Sequence, residues 1–300
     1  MMDTMAASGH DLAISVAGLR KRYGEREAVA GIDFTVARGE VFGLLGPNGA
    51  GKTTTVEILE GHRARTAGEV RVLGMDPGDR PRELRARVGI VLQSPGTYRN
   101  LSVGEAVAHF ATFYPRPRDV EETIALAGLT EKADARTRTL SGGQVRRLDL
   151  ALALIGDPEL VFLDEPTTGF DPVARRNAWD TIRSLRDLGK TVVLTTHYLD
   201  EAQALADRVA IIKDGRIVAD GPPAELGVDA ATRYRIRWRG ADGSVEERVT
   251  AEPTELLAGL TADALARGER LEELSVTRPS LEEVYLELTA EADVAAEVVA

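Results

Sequence analysis

The octapeptide Gly46-Pro47-Asn48-Gly49-Ala50-Gly51-Lys52-Thr53 constrains this chain more than any other stretch. An apolar run, Val41-Phe42-Gly43-Leu44-Leu45, precedes it, and Thr54-Thr55-Val56-Glu57-Ile58-Leu59 follows. The order reads strand, glycine loop, helix, and the spacing G-x-x-x-x-G-K-T is the phosphate-binding loop pattern. Glycines allow the tight turn and aim successive N–H groups at one point, where they cradle anionic oxygens. The helix that begins there adds its positive dipole end. Lys52 has the length to reach terminal phosphates, and the Thr53 hydroxyl suits Mg²⁺. A chance glycine-rich turn would need neither flank, and both are present.

Such a loop demands a carboxylate at the end of a neighbouring strand for the metal and a group to activate water. Residues 160–165, Leu-Val-Phe-Leu-Asp-Glu, supply both: an apolar strand of the kind buried on both faces of a parallel sheet, ending on Asp164 and Glu165. A carboxylate pair can also be a plain turn or helix start, but here it accompanies the loop. Residues 191–197 form a similar strand with His197 at its tip, and residues 88–93 another with Gln93 at its end. Strands are also expected at 14–19, 28–36, 68–73 and 208–213, with a hairpin turn at Asp214-Gly215. Strands alternating with helices specify a doubly wound α/β sheet whose polar residues cluster at the strand C-termini.

Residues 94–155 change character. Ser102 caps a helix over 103–113, Pro115 and Pro117 break it, and further helices follow over 120–127 and 145–155. Helices are also expected from Asp171-Pro172 to about 188 and over 199–206. Beyond Gly221-Pro222-Pro223 the pattern shifts to a small α+β domain: strands at 233–239, 245–250 and 271–277, a helix over 254–265 and a last one from Ser280 through 288. Arg233, Arg235, Arg237 and Arg239 form a stripe, but Glu246, Glu247 and Glu252 flank it, so a solvated face is expected.

The charge balance disfavours one class of function. Lys plus Arg number 37 and Asp plus Glu 48, a net charge of −11, opposite to what broad nucleic-acid binding requires. The chain has no cysteine, hence no disulfide, thiolate metal site or redox thiol. Its longest unbroken apolar run, 150–155, falls far short of the ~20 residues of a membrane span. The start, with Met1, Met2 and Met5, lacks the basic and apolar segments of a secretory signal.

The segment Leu140-Ser141-Gly142-Gly143-Gln144 names a family. Together with the phosphate loop, Gln93, Asp164-Glu165 and His197, in this order and spacing, it resembles the ATP-binding cassette ATPases. The resemblance covers about residues 12–222 and implies an α/β P-loop fold: a mixed sheet core, a helical subdomain at about 94–155 and here a C-terminal α+β domain over 223–289, with tails at 1–11 and 290–300. It implies ATP and Mg²⁺ as ligands. Tyr23 matches the aromatic residue that stacks on adenine, and Gly46 through Thr54 the phosphate cradle. Gln93 matches the glutamine that meets the metal and the attacking water and senses a membrane partner. Asp164 matches the metal carboxylate, Glu165 the general base and His197 the γ-phosphate switch. Ser141, Gly142, Gly143 and Gln144 match the signature, which serves the nucleotide of an opposite subunit. Asp171 matches the aspartate of the loop crossing that interface. The resemblance therefore implies a head-to-tail homodimer, or a pair with a second ATPase subunit, and a separate transmembrane permease.

Two stretches depart from the common pattern: Gly169-Phe170-Asp171 in the interface loop, and Val145-Arg146-Arg147-Leu148-Asp149 after the signature. Neither is expected to touch catalysis. The ending Pro279-Ser280-Leu281-Glu282-Glu283-Val284-Tyr285 resembles that of bacterial drug-exporter ATPases of the anthracycline type. The expectation is the ATPase subunit of an exporter, peripheral on the inner face of the cell membrane, with no nucleic-acid partner. The alternatives are an importer ATPase, disfavoured by the short C-terminal domain, and a cassette protein acting on nucleic acid or the ribosome, disfavoured by the charge.

Overall fold

The computed structural model describes residues 12–91, 100–226, 234–240, 243–277 and Tyr285. The expected end of the strand at Gln93, the last helix from Ser280 and both tails lie outside the described residues, Tyr285 apart. Chain contacts divide at Asp220/Gly221 into two units.

In the first unit the strands are β1 (Leu12–Tyr23), β2 (Arg26–Ala37), β3 (Val41–Leu45), β4 (Ala67–Val72), β5 (Val88–Val91), β6 (Leu160–Asp164), β7 (Thr191–Thr196), β8 (Arg208–Lys213) and β9 (Arg216–Gly221). The helices are α1 (Lys52–Leu59), α2 (Arg82–Arg87), α3 (Val103–Ala111), α4 (Val120–Leu126), α5 (Gly142–Leu154), α6 (Pro172–Asp187) and α7 (Leu199–Leu205). Six strands form one sheet in the order β5-β6-β7-β3-β8-β9, parallel from β5 through β8. β9 follows β8 through Asp214 and Gly215, whose φ of +48° and +73° fit a two-residue hairpin turn. Strands β2, β1 and β4 form a separate antiparallel sheet. The expected doubly wound sheet is therefore joined by a second, antiparallel layer.

Alternation along the buried strands sends successive side chains to opposite faces. Phe42, Leu44, Phe162 and Val193 face one cluster with Val56, Ile58 and Leu59 of α1 and the apolar faces of β1, β2 and β4. Val41, Val161, Leu163, Val192 and Leu194 face the other, against Leu150 and Leu154 of α5, Ile182 and Leu185 of α6 and Leu205 of α7. Both faces are covered, which is why these strands read as unbroken apolar runs. A third cluster joins α3, α4 and α5 around Val107, Ile124, Leu148 and Ile155.

The helix starts follow local chemistry. Ser102 and Ser141 each form a capping box, with Glu105 and Gln144 respectively. The box at Ser141 lets α5 begin at Gly142 rather than at the expected residue 145, because it satisfies the amides that two poor helix formers would leave open. α3 ends at Ala111, not at 113, and leaves Phe113 65% exposed. α2 was not expected: it buries only Leu84, too little apolar periodicity to read.

The second unit contains β10 (Tyr234–Arg239), β11 (Val245–Thr250), α8 (Pro253–Arg267) and β12 (Glu272–Thr277), with an antiparallel sheet ordered β11-β10-β12. Ile236 and Trp238 of β10 are buried, while Arg235 and Arg239 pair with Glu247 and Glu273. The arginine stripe thus spends two of its charges on neighbouring strands.

Phe162 is fully buried in β6. Phe162→Ala is expected to cost about 3–5 kcal/mol, read as the fall in unfolding free energy in guanidinium.

Candidate functional site

The parallel register sets the C-terminal ends of β3, β6 and β7 side by side: Leu45 lies opposite Thr196, and Asp164 opposite Thr195. The loop after β3, the carboxylates after β6 and His197 after β7 therefore share one edge of the sheet.

The loop is wound tightly against its neighbours. A Cβ on Gly46 would lie 2.2 Å from the Ile212 carbonyl oxygen, and one on Gly51, at φ +110°, 2.5 Å from that of Ala28. Asn48 and Gly49 form its exposed tip and Ala50 is buried. Lys52 opens α1 and is buried, its Nζ donating to the carbonyls of Gly46 at 2.7 Å and Pro47 at 3.1 Å. Burial pushes the Lys52 ammonium down from the usual lysine range, while the charges of Glu165 and Asp164 oppose that shift. Thr53 is exposed and Thr54 half-buried at the same helix start.

Asp164 is buried, and its Oδ1 accepts the Thr195 hydroxyl. Burial raises the Asp164 carboxyl; the Thr195 bond opposes this, and the Glu165 charge adds to it. Glu165 has φ +46°, the left-handed region that a non-glycine residue occupies only when its surroundings enforce it. Thr195 enforces it: the Glu165 amide donates to both the carbonyl and the hydroxyl of Thr195, at 3.2 and 3.0 Å. The Glu165 carboxylate accepts the Thr168 hydroxyl at 3.1 Å and lies 3.2 Å from His197 Nδ1. Lys52, Asp164, Glu165 and His197 thus form one polar cluster.

Tyr23 stands 41% exposed at the end of β1, with Lys21 Nζ 4.9 Å and Arg63 Cζ 5.4 Å from its ring centroid. Arg63 pairs with Glu57 of α1, tying the ring's surroundings to the helix that carries Lys52. Gln93 lies outside the described residues.

The signature residues sit elsewhere. Ser141 and Gly142 are exposed, Ser141 caps α5, and the Gln144 side chain accepts from the Ser141 amide at 2.9 Å. Asp171 Oδ1 accepts from the amides of Val173 and Ala174, both at 2.9 Å, and so caps α6. Ser141, Gly143, Glu165, Gly169 and Asp171 line a cleft of about 710 Å³ to which, among the described residues, 46–54 add no wall.

Several contributing residues had no sequence signal. Thr195 looks like one more β-branched strand residue. Glu201 reads as a solvated helix position, yet it is fully buried, accepting from Thr167 at 2.7 Å and Trp179 at 3.2 Å. Burial raises its carboxyl against hydrogen bonds from Thr196, Thr167 and Trp179. It braces the turn after Glu165 against the strand end before His197. Glu60 ends α1 with its side chain only 2% exposed. Burial, then the charges of Asp164 and Glu57, push its carboxyl up to about 8. It lines a groove of about 380 Å³ with His62, Arg85, Ile90, Phe110 and Tyr114.

A family model described as ABC transporter matches residues 29–168. The chain is 38% identical to daunorubicin resistance ATP-binding protein DrrA3 of Streptomyces coeruleorubidus, over 94% of this chain and 97% of that protein. It is 40% identical to Nod factor export ATP-binding protein I of Rhizobium sp. (strain N33), over 93% and 97%. Among solved structures it is similar to CbiO1 of Clostridium perfringens, part of the ABC transporter complex CbiONQ, with a TM-score of 0.65, 28% identity and coverage of 73% and 92%. It is also similar to a dimeric ATP-binding cassette in a post-hydrolysis state with ADP and phosphate, with a TM-score of 0.61, 25% identity and coverage of 70% and 98%.

Gly46→Ala is expected to displace the loop and weaken ATP binding by at least about tenfold, about 1.4 kcal/mol, measured by titration with a fluorescent ATP analogue. Glu60 gives a stability prediction. Its proton is held in the folded chain up to about pH 8 but only to the ordinary 4.5 when unfolded. That contribution is fully present below pH 4.5 and is lost as pH rises through 8. Glu60→Gln removes the dependence, so the variant should gain on the parent from pH 5 to 8.5 by on the order of a few kcal/mol, read from denaturation without nucleotide or metal.

Proposed function

The chain belongs to the ABC transporter family as an ATP-binding, ATP-hydrolysing subunit of exporter type, and from that premise we propose that it works as one half of a nucleotide-clamped pair driving a separate permease. The observation that supports this reading is the make-up of the cleft at the signature: Ser141, Gly143, Glu165 and Asp171 line it, and residues 46–54 are not among its walls. A second copy, or a related ATPase subunit, set head-to-tail brings the Ser141 cap of one to the loop of the other.

In that pair, adenine lies against Tyr23 and the phosphates take the N–H groups of residues 46–54, with Lys52 exchanging its loop carbonyls for phosphate oxygens. Thr53 and Asp164, with Gln93, are the residues to hold Mg²⁺. The donor types would suit it: a hydroxyl, an amide oxygen and a carboxylate are hard oxygen ligands, and the Asp164 carboxylate is buried at its strand end. The ion's chemistry is to neutralise charge on the β- and γ-oxygens. Glu165 accepts the proton of a water attacking the γ-phosphorus, the bond to the ADP oxygen breaks, and ADP and phosphate result. His197, held beside Glu165, and Lys52 face the charge on the transferring group. Ser141 and Gly143 of the opposite copy offer it a helix start.

The groove of Glu60, Phe110 and Tyr114 reaches Ile90, three residues before Gln93, which supports it as the seat of a permease segment. The similarity to ATP-binding proteins of export and of a transporter complex supports a partner that supplies the membrane spans and a peripheral place on the inner membrane face; among the described residues no helix is long and apolar enough to cross a membrane. The near full-length similarity to drug-resistance and export proteins supports a drug-like or otherwise hydrophobic cargo.

Glu165→Gln is expected to lower steady-state ATP turnover by about 100-fold or more while ATP-dependent pairing, followed by size-exclusion chromatography, persists. Turnover at the parental rate would remove Glu165 from the role of general base.

A further inference from the structure

α5 carries two functions on one rigid rod. Its first residues are the signature cap. One turn further, Arg146 leaves the helix and reaches the end of β6. Its Nε donates to the Pro166 carbonyl at 3.2 Å, and one terminal nitrogen donates to the carbonyls of Asp164 at 2.9 Å and Glu165 at 3.5 Å. A single guanidinium thus gathers three successive carbonyls of the turn that presents Glu165. Only a planar fork of five donors does this; an ammonium is a point charge on a flexible stem. The turn needs such a hold because Glu165 sits at φ +46°. Thr195 fixes its amide side and Arg146 its carbonyl side. Burial pushes the Arg146 guanidinium down from the usual arginine range, and the charges of Asp149 on α5, Asp164 at the end of β6 and Glu201 on α7 oppose that shift.

We propose that Arg146 is the positioning residue through which occupancy of the signature cap is transmitted to the general base of the same chain. A phosphate of the opposite copy's ATP, bound at Ser141–Gly143, fixes the first turn of α5. Arg146 carries that restraint to residues 164–166, and so to the direction of the Glu165 carboxylate. Each site of the pair then hydrolyses efficiently only when the other also holds nucleotide. The inference rests on the paired reading above and assigns a role to a stretch that, by sequence, stood apart from catalysis.

The test uses the full-length chain with Mg²⁺ and ATP, comparing the parent with Arg146→Met and Arg146→Lys. Arg146→Met is expected to lower kcat by about tenfold or more with KM and nucleotide Kd within about twofold of the parent, and to bring the Hill coefficient for ATP down toward 1. Arg146→Lys is expected to recover part of kcat and still fall about threefold or more short of the parent. A kcat within twofold of the parent in both variants overturns the proposal. So does a loss that appears equally in KM and Kd, with lysine no better than methionine, since that is the signature of a structural role alone. If Arg146→Met does not fold, Arg146→Lys decides: parental kcat and Hill coefficient overturn the proposal, and a reduced kcat at unchanged KM supports it. Pairing is checked separately in the Glu165→Gln variant with Arg146 intact. A chain that stays monomeric there at saturating ATP overturns the paired reading and this inference with it. A chain that pairs while the Arg146 variants retain parental kinetics overturns this inference alone.

Discussion

The site depends on one constraint, the parallel register of β3, β6 and β7. Asp164 opposite Thr195, and Leu45 opposite Thr196, set three strand ends level, so that a glycine loop, two carboxylates and a histidine converge without any being neighbours in sequence. A slip of one residue would turn Asp164 toward the other face of the sheet and set its charge against the apolar cluster of Val192 and Leu194. The alternating core fixes that register: Phe162 and Val193 must face α1, and Val161 and Val192 must face α5 and α6.

Above that frame, the polar groups hold one another in conformations none would adopt alone. Glu165 is held left-handed by Thr195, which takes its amide, while Arg146 holds the flanking carbonyls of Asp164 and Pro166. Lys52 folds back on its own loop, a position that its burial makes costly and the two nearby carboxylates offset. Glu201 lies wholly inside the protein and joins the turn after Glu165 to α6. A cluster of this kind is held ready for an anion and a cation at once: backbone donors at the loop, carboxylate oxygens opposite.

Much of this was legible in the chain itself. The phosphate loop, the Asp164-Glu165 strand end and the signature appear in the sequence because each needs particular residues at fixed spacing within one short segment. Buried strands were readable because two covered faces demand apolar runs. Element ends were less so: α5 starts on two glycines that propensity argues against and the Ser141–Gln144 box rescues, and α2 has a single buried apolar residue.

Local features that one segment carries whole were therefore legible in the sequence: the glycine loop, the carboxylate pair, the Ser102 cap, the family. Chemistry that exists only between segments was decided by tertiary structure. Thr195, Glu201, Glu60 and Arg146 have no motif, since each acts through partners about 18 to over 100 residues away. Their character comes from burial and from the carbonyls and hydroxyls that the sheet edge brings to them. A threonine in a strand, or an arginine after a signature, acquires its role only when folding places it against the turn that holds Glu165.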